Sequence, residues 1–129
     1  MPDCAVDTNV LIRFLEGDTN LPEPILTYLR DVDEGMAICH IPAVVAMEML
    51  YLFEKGRIPR GVDDVADLLE NSNFRLQPLD LGVLRAGVTV DDIPELHDRM
   101  IVATAKLLGV PLLTLDHNIR ATQHVQTVG

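Results

Sequence analysis

Aromatic residues and cations are both scarce in this sequence. Aromatic side chains make up 4% of the 129 residues and tryptophan is absent, whereas hydrophobic residues make up 48%, so we expect an aliphatic core. Ten Lys and Arg face twenty Asp and Glu, which leaves a formal net charge of −10. This charge argues against general binding of nucleic acid through a basic surface and favours a partner with a basic segment. An acidic site can still face a phosphate group once it holds divalent cations.

Cysteines and long apolar runs are also scarce. The two cysteines, Cys4 and Cys39, lie inside apolar runs and form no CxxC pair, so we expect buried thiols in a reducing compartment rather than a zinc site. No run of ~18 uncharged apolar residues is present to span a membrane. No basic region precedes an apolar run at the N-terminus, as a signal peptide requires. We therefore expect a cytoplasmic protein with one domain, residues 1–129.

Short apolar segments alternate with longer amphipathic ones along the chain. The pattern predicts strands at 4–6, 36–41, 74–79, 110–116 and 124–128, and helices at 9–17, 22–35, 43–55, 61–71, 80–90 and 94–109. Pro42 fits the first helical position of the segment at 43–55. Strands that alternate with helices form βαβ units, so we predict an α/β fold whose parallel sheet is covered on both faces.

Two of the predicted strands end in an aspartate. Asp7 directly follows the strand at 4–6, beside Thr8 and Asn9, and Asp116 ends the segment at 110–116. Either acid could be a helix cap, because Asp accepts hydrogen bonds from the first backbone N–H groups of a helix. In parallel sheets, however, functional groups collect at the carboxyl ends of the strands. Both acids are therefore candidate site residues, and Thr8 and Asn9 are able to hold Asp7 by hydrogen bonds.

Two further acids interrupt apolar helices. Glu48 stands in PAVVAMEMLYLF, where ten of the eleven residues from 43 to 53 are apolar. This pattern predicts a helix buried on nearly all sides, in which a carboxylate is costly unless it is paired or binds a metal. A position at the helix edge, or a pair with an Arg, is the alternative for Glu48. Asp98 opens the helix HDRMIVATAKLLG, where an acid is also favourable through the helix dipole.

Together, the four acids predict a metal site. Unpaired carboxylates that lie close together raise one another's pKa, and one or two divalent cations would remove the conflict. Oxygen-rich sites suit Mg²⁺ or Mn²⁺, and such ions activate water and stabilise in-line displacement at a phosphodiester. His97 and His117 each neighbour a candidate acid, so a role beside the ligands or the substrate is open for both.

Three segments carry a resemblance to a known family. They are VDTNVLIRFL, IPAVVAMEMLYLFEKGRI and HDRMIVATAKLLGVPLLTLD, and together they span most of the chain. In order and spacing they resemble the PIN-domain family and, more narrowly, the small single-domain toxins of VapBC-type toxin–antitoxin pairs. The resemblance implies a three-layer α/β/α sandwich with a central, mainly parallel sheet, and ribonuclease activity that depends on Mg²⁺ or Mn²⁺.

The resemblance also implies residue roles and partners. The family's acidic metal ligands and catalytic residues map onto Asp7, Glu48, Asp98 and Asp116. Supporting positions of its motifs match Thr8, Asn9, Thr114, Asn118 and Arg99. The implied partners are an RNA substrate, a second copy of the chain in a homodimer, and a cognate antitoxin whose basic segment reaches the acidic site.

Other protein classes fit the sequence less well. A phosphatase of the haloacid dehalogenase type needs a second Asp two residues after the first, where this chain has Asn9, and it also needs a late Lys. A response-regulator receiver needs paired acids early in the chain, where only Asp3 is present. A PIN-like scaffold that binds RNA or a partner without cutting is the remaining alternative, but binding alone does not require the complete set of acids.

Overall fold

The computed structural model describes residues 3–129, and a five-stranded sheet lies at its centre. The strands are β1 (Cys4–Val6), β2 (Cys39–Pro42), β3 (Phe74–Gln77), β4 (Leu112–Leu113) and β5 (Thr127–Val128). Their order across the sheet is β3-β2-β1-β4-β5, and every neighbouring pair is parallel. The prediction of an α/β fold with a parallel sheet is therefore confirmed.

Helices connect the strands and cover the sheet. They are α1 (Thr8–Leu15), α2 (Glu23–Asp33), α3 (Ala43–Glu54), α4 (Val62–Asn71), α5 (Leu81–Thr89), α6 (Leu96–Leu108) and α7 (His117–Arg120). Right-handed crossovers place the helices between β1 and β3 on one face and the pair α5 and α6 on the other. In agreement, α3 packs against α1 and α4, and α5 packs against α6. Across residues 3–129, no helix combines the length and the apolar character that crossing a bilayer requires.

Burial of the sheet on both faces explains the composition of its strands. All three residues of β1 are buried, and Cys4 and Ala5 pair in register with Cys39 and His40 of β2. A strand covered on both faces is apolar throughout rather than alternating. The core is aliphatic apart from a few rings, among which Phe14 and Phe74 pack with their ring centroids 5.6 Å apart. Both cysteines are buried free thiols, as predicted.

Several element boundaries differ from the prediction. β2 begins at Cys39 rather than at residue 36, and the short helix α7 was not predicted. The prediction for Pro42 was wrong, because this residue ends β2 and is the N-cap of α3, with ψ at 137°. The predicted helix ends at Gly17 and Gly109 are confirmed, and both glycines adopt the left-handed φ, 70° and 68°, that favours glycine.

The burial predicted for α3 was also wrong. Val44, Val45 and Met49 are buried, but Tyr51 and Phe53 are 54% and 49% exposed. The helix is apolar on nearly all sides, yet only one side of it packs on the sheet. An exposed apolar surface of this kind on a helix suggests a binding surface rather than core.

The connections place one crevice at the carboxyl edge of the sheet. The chain leaves β1 toward β2 and leaves β4 toward β5, which lie on opposite sides of the β1–β4 pair. Ligands bind at such reversal points in open α/β sheets. Asp7 directly follows β1, and Asp116 lies three residues after the end of β4.

Candidate functional site

A polar cavity of about 240 Å³, here called the acidic cavity, opens at the carboxyl ends of β1 and β4. It is lined by Asp7, Thr8, Asn9, Glu48, Asp98, Leu115 and Asp116. The structure thus places all four candidate acids around one space, although they come from four different parts of the chain. Their catalytic and metal-binding roles stay predictions.

Asp7 is the most buried of these acids. It is the N-cap of α1, and its Oδ1 accepts a hydrogen bond of 2.8 Å from the backbone N–H of Thr8. Its Oδ2 accepts a bond of 2.7 Å from the hydroxyl of Thr114. Burial raises the pKa of Asp7, the bonds from Thr114 and Thr8 oppose this rise, and the charge of Asp116 adds to it. Asp7 is thus a helix cap that also lines the acidic cavity, and its role as a site residue stays a prediction.

Glu48 faces the acidic cavity from the half-buried side of α3. Its Oε1 accepts a hydrogen bond of 2.9 Å from the hydroxyl of Thr8. Burial is the main cause that raises the pKa of Glu48, while Thr8 and His97 lower it and the charges of Asp7 and Glu95 raise it. Glu48 thus lies at the partly buried edge of the helix, as its alternative prediction had it, and it lines the acidic cavity together with the other acids.

Asp98 lies in the first turn of α6, as predicted. Its backbone N–H donates a bond of 2.7 Å to Oε2 of Glu95, which caps the helix. The pKa of Asp98 rises to about 6, first because of burial and then because of four neighbouring carboxylates. In order of effect these are Glu95, Asp116, Asp7 and Glu48. The charges of the three other acids that line the acidic cavity therefore all raise the pKa of Asp98.

Asp116 is held at the start of α7. Its Oδ1 accepts bonds of 2.8 and 3.2 Å from the backbone N–H groups of Asn118 and Ile119. Its own backbone N–H donates a bond of 3.1 Å to the hydroxyl oxygen of Thr114. Thr114 is completely buried, so this one side chain connects Asp116 to Asp7.

The sequence also matches a known protein family. The profile of the PIN domain family matches residues 4–125. The chain belongs to the PIN domain family.

Solved structures of low sequence identity share the fold of this PIN domain. VapBC2 from Rickettsia felis bound to a promoter DNA fragment has 13% identity and a TM-score of 0.71, with 97% of this chain and 96% of that chain covered. DNA-bound VapBC from Salmonella typhimurium has 17% identity and a TM-score of 0.70, with 99% and 98% covered. FitAcB from Neisseria gonorrhoeae has 19% identity and a TM-score of 0.66, with 98% and 96% covered. No curated protein sequence matches the chain.

The predicted supporting residues of this PIN domain separate into two groups. Thr8 and Asn9 line the acidic cavity, and Thr114 lies behind it as a donor to Asp7. Asn118 contributes its backbone N–H to Asp116, while its side chain is exposed. Arg99 lies elsewhere, because its Nε donates to the carbonyl oxygen of Gly87 at 2.8 Å. Its contact therefore joins α6 to α5 rather than reaching the acids.

Glu95 is an acid that the sequence did not single out. It lies outside the lining of the acidic cavity but acts on the pKa of both Asp98 and Glu48. Its signal was its position three residues before Asp98, which is the spacing of a side-chain cap at the start of a helix. The uncertain start of α6, predicted at residue 94, concealed this role.

The residues around the acidic cavity fit a divalent cation. Every charged side chain that lines it is a carboxylate, and oxygen donors of this kind suit Mg²⁺ or Mn²⁺. The pKa values of Asp7, Glu48 and Asp98 are raised because burial and neighbouring carboxylates disfavour their negative charges. A bound cation would neutralise these charges. Each carboxylate oxygen that accepts one hydrogen bond keeps a further lone pair for a cation.

Another cluster in this PIN domain has metal-ligand residue types. Among residues 3–129, one group of three or more such side chains has its ligand atoms all within 4.8 Å of one another, namely Asp91, Asp92 and His124. The acids of the acidic cavity are spaced more widely, as like charges prefer. However, the ammonium of Lys106 lies 3.0 Å from Nδ1 of His124. Because Nε2 of the same ring lies 3.1 Å from Oδ1 of Asp91, both nitrogens of His124 already have partners, and the cluster suits a structural link rather than a metal.

Proposed function

We propose that this PIN domain is an endoribonuclease that depends on Mg²⁺ or Mn²⁺ and hydrolyses RNA phosphodiester bonds. The observation that carries the proposal is the convergence of Asp7, Glu48, Asp98 and Asp116 on one cavity at the reversal point of the sheet. Membership of the PIN family supports it, because the family resemblance implies nuclease chemistry at these positions. We propose residues 1–129 as one domain located in the cytoplasm.

The side chains around the acidic cavity have different proposed roles. A divalent cation, when bound, activates water and stabilises the charge that builds up at a phosphodiester. Asp7, Asp98 and Asp116 are the proposed direct or water-mediated ligands, and Glu48 completes the set or orients water. Thr114 and Thr8 hold Asp7 in its orientation and keep its pKa below the value that burial alone would produce. Cleavage with departure of the 3′-oxygen leaves 5′-phosphate and 3′-hydroxyl ends.

A place in a type II toxin–antitoxin pair is part of the same proposal. The structural neighbours include VapBC complexes, and one similar structure is described as a toxin–antitoxin complex from Klebsiella pneumoniae. The chain carries a net charge of −10, and four acids concentrate part of it at one cavity. An antitoxin with a basic segment would therefore be attracted to the active site, and an Arg would bind best because its planar fork can bridge two carboxylates.

A homodimer is also proposed. Leu81, Leu84 and Val88 of α5 are 60%, 45% and 74% exposed, and their spacing places them on one face of the helix. An apolar stripe of this kind on an α/β surface is a candidate interface, and a second copy of the chain would bury it.

The test is cleavage of RNA by the wild type and by Asp7→Asn. We expect Mn²⁺-dependent products with 5′-phosphate ends from the wild type and none from Asp7→Asn, with the fold of the variant unchanged by circular dichroism. Asp92→Asn is the matched control, because Asp92 belongs to the other acidic cluster and should leave cleavage intact. Near wild-type cleavage by Asp7→Asn would show that the site is wrong, and a scaffold without activity would cut RNA in no variant.

A further inference from the structure

A second cavity of about 360 Å³, here called the apolar cavity, adjoins the acidic cavity. Met47, Glu48, Tyr51 and Leu52 of α3 line it together with His97 of α6. Glu48 lines both cavities, so whatever enters one lies next to the other. The proposed reaction at a phosphodiester takes place in the acidic cavity, and an RNA strand must continue beyond the phosphate that is cut.

We propose that the apolar cavity binds one nucleobase of the RNA next to the scissile phosphate and that Tyr51 stacks on this base. The base site rests on the proposed nuclease function and adds the element that would select where the strand is cut. Tyr51 would be a specificity-determining residue, not a catalytic one, because it lines only the apolar cavity.

The side chains of the apolar cavity match the chemistry of a base. Tyr51 is one of two tyrosines in a chain without tryptophan, and the residue is 54% exposed. Aromatic rings hold unpaired bases of single-stranded nucleic acid by stacking, and Met47 and Leu52 add apolar contact. His97 is about half exposed at the same cavity. Its Nδ1 lies 3.7 Å from Oε1 of Glu95, which leaves Nε2 for a hydrogen bond to a base edge.

The cations that follow α3 in the chain favour an anionic strand over a basic protein segment. Lys55, Arg57 and Arg60 are three of the ten cations of the chain and fall within six residues after α3. The Nζ of Lys55 lies 5.6 Å from the ring centroid of Tyr51. Neither Lys55 nor Arg57 belongs to any ion pair found within residues 3–129. Lys55, which lies at the ring of Tyr51, can therefore contact an RNA phosphate while the base enters the apolar cavity, and Arg57 follows two residues later in the chain.

The two cavities together define a path for the strand. The phosphate to be cut lies at the acids, the neighbouring base lies on Tyr51, and the next phosphate lies toward Lys55. Stacking alone is tolerant of sequence because every base has a flat face. The preference therefore comes from how the base fits beside Met47 and His97 while Tyr51 holds it there, and it is lost when Tyr51 no longer holds the base.

The experiment measures where a random-sequence RNA library is cut. Wild type, Tyr51→Phe, Tyr51→Ala and Phe53→Ala are incubated with the library and Mn²⁺, and both product ends are sequenced. Phe53 is the matched control because it is a half-exposed aromatic residue of the same helix but lines a different cavity, next to Pro59 and Val62. Thermal melts of each variant confirm that it is folded.

We expect a base preference at one position beside the cut in the wild type. Tyr51→Phe and Phe53→Ala should retain this preference, whereas Tyr51→Ala should remove it and lower kcat/KM about tenfold through KM, a loss within the range for one stacked base. An oligoribonucleotide with an abasic site at that position should lose the same factor with wild type and lose nothing further with Tyr51→Ala. Lys55→Ala should weaken cleavage of all sequences alike and flatten its salt dependence.

Three results would overturn the base site. The first is a Tyr51→Ala variant that keeps the wild-type preference and KM. The second is a Tyr51→Ala variant that cuts like wild type but resists inhibition by a basic peptide, which would assign the apolar cavity to a protein partner. The third is a wild type that cuts no RNA, which overturns the proposed function and the base site with it. A Tyr51→Ala variant that cuts at wild-type kcat but without base preference supports both the proposed nuclease function and the base site.

Discussion

The hydroxyl of Thr114 donates a hydrogen bond of 2.7 Å to Oδ2 of Asp7, which lies 107 residues earlier in the chain. The same hydroxyl oxygen accepts a bond of 3.1 Å from the backbone N–H of Asp116. One buried side chain at the end of β4 therefore sets the relative position of two acids from neighbouring strands. The hydroxyl of Thr114 is thus a hydrogen-bond donor to one acid and an acceptor for the backbone of the other.

Replacement of Thr114 by Val should weaken both the fold and the site. Asp7 would lose a donor and Asp116 N–H an acceptor, and we expect the free energy of unfolding to fall by about 1–3 kcal/mol. The affinity for Mn²⁺ should fall about 10- to 100-fold, as for other residues that orient metal ligands. Thr114→Ser keeps the hydroxyl and should retain most of both quantities. Calorimetric titration with Mn²⁺ and urea unfolding measure them, and equal Mn²⁺ affinity in the Val variant would contradict this role.

Divalent metal should stabilise the protein against heat. A ligand that binds only the native state at 1,000 times its dissociation constant adds about 4 kcal/mol to the free energy of unfolding. We expect a rise in Tm with Mn²⁺ that is lost in Asp7→Asn and in Asp98→Asn. Asp92→Asn is the control and should keep the full rise. If Asp92→Asn alone abolished the effect, the metal would belong to the cluster of Asp91, Asp92 and His124.

The stability of the metal-free protein should depend on the protonation of Asp98. The pKa of Asp98 rises from 3.8 to about 6 on folding, so the folded state binds more protons than the unfolded state in this interval. The free energy of unfolding then falls as pH rises from about 4 to about 6 and stays low above it. Asp98→Asn removes the unfavourable burial of a charged carboxylate among other acids. Its gain in Tm over wild type should therefore be larger at pH 7.5, where Asp98 is charged, than at pH 4.

Thermal melts in the presence of a chelator test this dependence. Asp63→Asn is the matched control, because Asp63 is an exposed acid in the first turn of α4. A gain in Tm for Asp98→Asn that is the same at both pH values would show that ionisation of Asp98 does not destabilise the folded protein.

A basic antitoxin segment should compete with metal for the acidic cavity. An Arg that bridges two of the carboxylates occupies the oxygens that a cation needs. Inhibition of RNA cleavage by a synthetic peptide with the basic tail should therefore weaken as the Mn²⁺ concentration rises. An inhibition constant that is independent of Mn²⁺, and unchanged when the Arg of the peptide is replaced by Ala, would place the action of the antitoxin elsewhere.

The proposed homodimer should depend on the apolar stripe of α5. Leu84→Lys places a charge in the middle of Leu81, Leu84 and Val88, and burial of an unpaired charge is costly. We expect this variant to sediment as a monomer at concentrations where the wild type sediments as a dimer. Leu50→Lys on α3 is the control, because Leu50 is similarly exposed but lies on another surface. A dimer that Leu50→Lys disrupts and Leu84→Lys does not would assign the interface to α3.

Local sequence signals were enough for the class of the fold. The alternation of apolar and amphipathic segments determines βαβ connectivity, and Gly17 and Gly109 end their helices where a left-handed φ is needed. The four candidate acids could also be selected from the sequence, because a carboxylate beside a strand end or within an apolar helix violates the local pattern, and their roles stay predictions. Topology then brings the strand ends to one edge, so the positions of Asp7 and Asp116 followed from the order of elements.

The tertiary structure alone decided which groups touch. Periodicity reports that a helix is apolar but not whether another element covers it, and so α3 was assigned to the core although Tyr51 is half exposed. Arg99 follows an acid in sequence, yet its guanidinium points to the carbonyl of Gly87 because helix geometry separates adjacent side chains. The bond between Thr114 and Asp7, and the charge of Glu95 on Asp98, arise from long-range packing and a helix start that the sequence pattern does not locate. The sequence by itself determined the chemistry of the acidic residues, and the packing of the sheet and helices determined their geometry, since hydrogen bonds and pKa shifts depend on distances between segments that are remote in the chain.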